Sequence, residues 1–182
     1  MSTPRLDYYP AAGNIEDSIA LIRRSVEESL KDGDVLVLTR QIVGDCPSRD
    51  DMCEMRAVFD WTRRNIRYTY DPVGMWNARK RGFSQIDVFA TARRIIESRG
   101  ADCDESGATL MTVFGKFLGH PTAVRVVGFA PDSWDHIYTL WGAPRENPTT
   151  WIPMDPTLPI PDAGPGIEPL PPYVKRSRDW LI

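Results

Sequence analysis

An α+β fold is predicted by three features of the chain. Apolar residues recur at helical spacing through its first two-thirds, in blocks separated by Gly, Pro and Asp. Short alternating runs with hairpin-length turns come afterwards, so helices and antiparallel strands are segregated rather than interleaved as βαβ units. The 182 residues, 42% hydrophobic and 26% charged, suffice for one ordinary hydrophobic core.

Residues 1–14 form a polar, Pro-bounded lead-in that ends at Asn14, a predicted N-cap. Ile15, Ile19, Ile22, Val26 and Leu30 then give a helix that Gly33 is expected to stop. Val35 to Val43 fits helix or strand, and its period does not separate the two. Cys46-Pro47-Ser48-Arg49-Asp50 reads as a turn. A second helix follows, with Met52, Met55, Val58, Phe59 and Thr62 on one face. Ile66-Arg67-Tyr68-Thr69-Tyr70 alternates as a strand, and residues 72–87 read as a long polar surface loop. Phe89 to Ser98 is a short helix with Arg99-Gly100 as its C-cap, and a third long helix runs from Cys103 to about Leu118. Strands are predicted over Thr122–Phe129, His136–Trp141 and Thr150–Met154. From Pro156 onward prolines crowd the chain, so residues 158–182 are expected to be an extended arm.

The charge balance limits what such a fold can bind. A formal net charge of −3 offers no basic field for nucleic acid or anionic lipid. No apolar run approaches the roughly 20 residues that span a bilayer, and the N-terminus lacks the apolar core of a secretory signal. Three cysteines are too few for a disulfide framework, and the odd count leaves at least one free thiol. Cys46 and Cys53 read as incidental free thiols rather than a zinc site, and a reducing, cytoplasmic setting is the default expectation.

Three residues carry possible chemistry. Gly100 breaks the backbone before a helix, Asp102 can cap it with Glu105 three positions on, and Cys103 falls at its first position. The helix dipole there favours thiolate, and the outward N–H can donate to a developing oxyanion; Asp104 and Glu105 oppose the thiolate, so a base is needed. His136, at the start of a strand, is the better candidate base, because His120 sits in a helix-ending Gly-His-Pro turn. Asp155, at the end of the next strand, can orient an imidazole. Singly, each residue also has a plain reading: a small buried Cys, a surface His, an Asp-Pro turn. Their order is what points to chemistry.

That order resembles the transglutaminase-like superfamily of papain-fold enzymes, as small single-domain bacterial or phage-like members carry it. Gly100-Ala101-Asp102-Cys103-Asp104-Glu105 is similar to the nucleophile segment of that superfamily, although one residue longer before the Cys. Ala57 to Asp71 looks like its helix-then-strand entry, and Trp151-Ile152-Pro153-Met154-Asp155-Pro156-Thr157 like its closing acid strand. The resemblance covers residues 15–157. It implies a papain-like core with Cys103, His136 and Asp155 as a catalytic triad, neither metal nor cofactor, and thiol-dependent hydrolysis or acyl transfer at an amide. A peptide or protein substrate is implied, peptidoglycan peptides among the possibilities. A second oxyanion donor is not marked by any motif; Gln85 and Trp76 are the candidates. The alternative is a structural or interaction protein on the same fold. The arm with Tyr173, Lys175, Arg176, Arg178 and Trp180 would then dock on an assembly, as in phage or virion tail components.

Overall fold

The computed structural model describes residues 7–8, 14–70, 73–77, 82–85, 88–168 and 171–182, with backbone alone for 7–8, 73–77, 82–85 and 88. Asn14 caps α1 (Ile15–Ser29) by accepting from the Asp17 N–H at 3.1 Å, and Ile19, Ile22 and Val26 bury one face. Gly33 does not stop this helix; it begins the next. Asp32 caps α2 (Gly33–Ile42) by accepting from the N–H groups of Asp34 and Val35, which settles the ambiguous Val35–Val43 run as helical. Asp50 caps α3 (Asp51–Asn65), whose Met55, Val58, Phe59 and Thr62 are buried as the spacing predicts, while Met52 lies outside that face.

The turn between α2 and α3 corrects one expectation. Cys46 and Cys53 are not free thiols: their Cα atoms stand 5.7 Å apart and a disulfide joins them. The Cys46 N–H bonds to the Val43 carbonyl, and Asp50 takes the Cys53 N–H at 3.0 Å, so the first turn of α3 folds back onto the end of α2. Cys103 is the free cysteine.

Short strands join the helices. β1 (Asp7–Tyr8), β2 (Arg67–Tyr68), β3 (Val73–Asn77), β4 (Gly82–Gln85), β5 (Val88–Phe89) and β6 (Gly100–Ala101) form three two-stranded ladders, β1–β5 and β3–β4 antiparallel and β2–β6 parallel. The β3–β4 pair lies where the composition reads as loop. α4 (Ala92–Ser98) ends at Arg99, which takes the left-handed conformation itself (φ 55°) in place of Gly100.

The third long helix divides in two. Cys103–Leu110 is a π-helix, which continues as α5 (Met111–Phe117). Its wider winding leaves carbonyls needing partners, and the buried Thr139 hydroxyl lies 2.9 Å from those of both Gly107 and Ala108. π-Helical turns are rare and concentrate at functional sites. A four-stranded antiparallel sheet covers this helix, made of β7 (Thr122–Gly128), β8 (His136–Ala143), β9 (Thr150–Met154) and β10 (Arg176–Leu181) in the order β10-β7-β8-β9. Gly115 lets α5 approach the sheet; a Cβ there would lie 2.8 Å from the Trp141 ring, whose N–H donates to the Met111 carbonyl at 3.0 Å. No helix among the described residues is long and apolar enough to cross a membrane.

β10 departs from the expectation of an extended arm over 158–182. Its six residues pair with β7 along their full length, and Trp180 is buried, its N–H donating to Glu16 of α1 at 3.1 Å. Burial of one aromatic suffices here, since the Arg176 and Arg178 guanidinium groups lie over the Trp134 and Trp180 rings at 3.6 and 4.6 Å. A strand this rich in charge has no apolar alternation to read.

Candidate active site

His136 opens β8, and two elements fix its position. Asp135 accepts from the Phe129 N–H at 2.7 Å and from the Ser133 hydroxyl, and its own N–H bonds to Val127, which ties the preceding turn to β7. The Ser133 hydroxyl and the Phe129 amide hold the Asp135 carboxyl below its ordinary range, so it is anionic. The register of β8 against β9 pairs Thr139 with Met154, and this carries Asp155, just past the strand end, beside the imidazole. His136 Nε2 lies 2.6 Å from Asp155 Oδ2.

Asp155 is almost fully buried, and both of its oxygens are occupied. Oδ1 accepts from the Thr157 N–H at 3.0 Å and from the Thr157 hydroxyl at 2.6 Å. A buried carboxylate costs several kcal/mol unless such partners are present. Thr157 was visible in the sequence only as the last residue of the acid strand, with no role attached to it. The nitrogen left over on His136 is Nδ1, and the ring stacks on Tyr138 with centroids 5.9 Å apart.

Cys103 begins the π-helix, capped by Asp102, which accepts from the Glu105 N–H at 3.5 Å. Gly107 brings this helix against β8 and Asp155. A Cβ on Gly107 would lie 3.0 Å from the Ile137 carbonyl and 3.8 Å from Asp155 Oδ1, so glycine here has a packing role. The Ile137 backbone amide, next to His136 in the chain, draws the Cys103 thiol down, which sets the thiol near the start of β8.

The electrostatics differ from the dipole-based expectation. Burial, then the charges of Asp104 and Asp102, push the Cys103 thiol well above its ordinary value, and the Ile137 N–H draws it down without offsetting them. A helix N-terminus supplies about half a positive charge. Two adjacent carboxylates and burial work against it and favour the thiol over the thiolate.

A groove of about 590 Å³ opens on His136, lined also by Tyr68, Ser106, Asp135, Thr157 and Leu158. Cys103 is partly buried and is not among the residues that line it, whereas Ser106, on the same helix, is. The side chains of Gln85 and Trp76, the two candidate donors, lie outside the described residues. Among the described residues, two side-chain groups have ligand atoms within 4.8 Å of one another, Asp102–Cys103–Asp104 and Asp51–Glu54–His120. In the second, the Arg145 guanidinium already donates to both carboxylates, Nη2 to Glu54 at 2.7 Å and Nε to Asp51 at 2.7 Å, so a cation is built in.

No family model matches the chain, and no curated protein matches it. Among solved structures it is similar to a candidate cysteine protease from Cytophaga hutchinsonii, at 16% identity and a TM-score of 0.50. The match covers 96% of this chain and 51% of that one, so the chain spans about half the length of that structure. At this identity the likeness speaks to fold alone: the molecule has an α+β fold of the papain-like kind.

Proposed function

We propose that the chain is a thiol-dependent amidase or peptidase of the transglutaminase-like kind, working through Cys103, His136 and Asp155. The observation that carries this reading is the pairing of His136 Nε2 with the buried Asp155 at 2.6 Å, with Cys103 opening the helix that Gly107 seats against Ile137 and Asp155. Asp155 fixes the tautomer in which Nε2 carries the proton and Nδ1 has the free lone pair.

The thiol rests protonated, so proton transfer accompanies attack. Nδ1 of His136 takes the Cys103 proton as sulfur bonds to the carbonyl carbon, and the C=O electron pair moves onto oxygen. Collapse restores the carbonyl, breaks the C–N bond and sends the amine away with the proton from Nδ1. Water then repeats the sequence on the thioester and releases acid and thiol; an amine in place of water gives transamidation. A peptide or protein, including peptidoglycan peptides, is the substrate class of this reading. β10 belongs to the working unit, since Arg176 on it donates to the Pro131 carbonyl in the turn that precedes His136.

The test is acylation by p-nitrophenyl acetate, followed by nitrophenol release and peptide mapping of the acetyl group. Wild type acquires acetyl on Cys103, Cys103→Ala does not, and His136→Ala is slower by about 10²–10⁴-fold, the usual contribution of a general base. Equal release from wild type and Cys103→Ala would overturn the reading.

A further inference from the structure

The mechanism leaves one charge without a named partner beyond a backbone amide. The tetrahedral intermediate carries a full negative charge on oxygen, and the N–H of Cys103, first in its helix, has no intrahelical acceptor and supplies one donor. A second donor has to reach the same point from across the groove. Neither residue considered from sequence is needed for this.

β2 and β6 run side by side in parallel register, with Arg67 opposite Gly100 and Tyr68 opposite Ala101. The ladder is closed by Arg67 N–H to Arg99 O at 2.9 Å and Thr69 N–H to Ala101 O at 3.0 Å. Tyr68 is therefore held at a fixed height two residues before Cys103. Its side chain is 44% exposed and lines the groove with His136 and Ser106. The ring is braced edge-on by Tyr70 (centroids 5.3 Å, interplanar angle 86°). Burial and then nearby negative charge, that of Asp102 included, push the phenol above its ordinary value, which keeps the O–H protonated as a donor over the working pH range.

Resting on the thiol-enzyme reading above, we infer that Tyr68 is a catalytic residue, its phenol O–H donating to the oxyanion opposite the Cys103 N–H. The proton stays on the phenol oxygen throughout; only the hydrogen bond strengthens as the carbonyl oxygen gains charge.

Tyr68→Phe keeps the ring and its contact with Tyr70 while deleting the donor. Two reactions of the same sulfur separate the possible roles. Acylation by p-nitrophenyl acetate passes through an oxyanion, whereas alkylation by iodoacetamide is a displacement at saturated carbon and makes none. The inference expects Tyr68→Phe to acetylate Cys103 about 10²-fold more slowly, as for loss of one oxyanion donor, with alkylation across pH 7–10 within about twofold of wild type. Acetylation within about twofold of wild type would overturn the role of Tyr68 and leave the thiol-enzyme reading intact. Parallel loss of both reactions would also overturn it, since Tyr68 would then act on the thiol or its surroundings. Absence of acetylation at Cys103 in wild type would remove the reading and this role together.

Discussion

The two histidines of the chain stand in opposite settings beside the same kind of partner. His136, at the rim of the groove, has one ring nitrogen on Asp155 and the other outside that pair. His120 is buried: Nδ1 donates to the Gly142 carbonyl at 3.1 Å, and Nε2 lies 3.9 Å from both Asp51 and Glu54 with no hydrogen-bond partner among the described residues. The difference is Arg145. Its fork occupies both carboxylates near His120 and donates to the Leu118 carbonyl at 2.7 Å, whereas Asp155 has only uncharged Thr157 donors besides the imidazole. A histidine next to acid is therefore a candidate for chemistry where no other cation has claimed the acid. Where one has, as here among α3, the end of α5 and the β8–β9 turn, the same residues make a brace.

Substitution tests whether the two clusters divide in this way. The largest change in stability is expected for Arg145→Met, which keeps the apolar stem and strips the charge from a partly buried pair of carboxylates. Loss of about 3 kcal/mol is expected, as for breaking such a network, measured by urea unfolding, with acetylation of Cys103 in the folded protein unchanged. An equal loss of acylation would show that the clusters are not independent. Thr157→Val sharpens the other side. It removes the hydroxyl from buried Asp155 while the backbone N–H bond remains, so stability should fall by about 1–2 kcal/mol. The acylation rate should fall about tenfold as the carboxylate loses its fixed orientation, and an unchanged rate would remove Thr157 from the positioning of His136.

The smallest effect concerns pH. Burial, and secondarily Arg145, hold the His120 imidazole below its ordinary value. The unfolded chain therefore binds the proton more readily than the native one. Stability from this group is complete above the unfolded value near 6.5 and declines as pH falls below it, down to the folded value. The slope of unfolding free energy between pH 5 and 7 should flatten in His120→Gln. A slope unchanged by the substitution would assign it to other groups. Asp32 and Asp135, both lowered, act in a separate and more acidic window.

Local rules were enough to read α1, α3 and the three strands from 122 to 154, because each declares its own period. The order of Cys103, His136 and Asp155 was legible for the same reason, each lying at the edge of an element the pattern marks. What escaped depends on distances between elements. The Cys46–Cys53 bond needs the angle of the α2–α3 turn, which the Asp50 cap sets. β10 needs a free edge on β7, and its own residues give little sign of it. The state of the Cys103 thiol needs a burial that no residue string reveals, together with the proximity of two carboxylates. Tyr68 was read as part of a strand, but only the parallel ladder with β6 carries it to the groove.

That ladder has a consequence for how such a molecule can diversify. The chain leaves the groove wall after β2 and returns to the same wall at β6, so both ends of the intervening stretch are pinned to one another. Lengthening a tethered segment costs little, about 0.6 kcal/mol for each doubling. Residues 71–87 can accordingly be exchanged or extended while the spacing between Tyr68 and Cys103 stays fixed. The ladder thus makes the frame around Tyr68 and Cys103 independent of the length of the segment it closes.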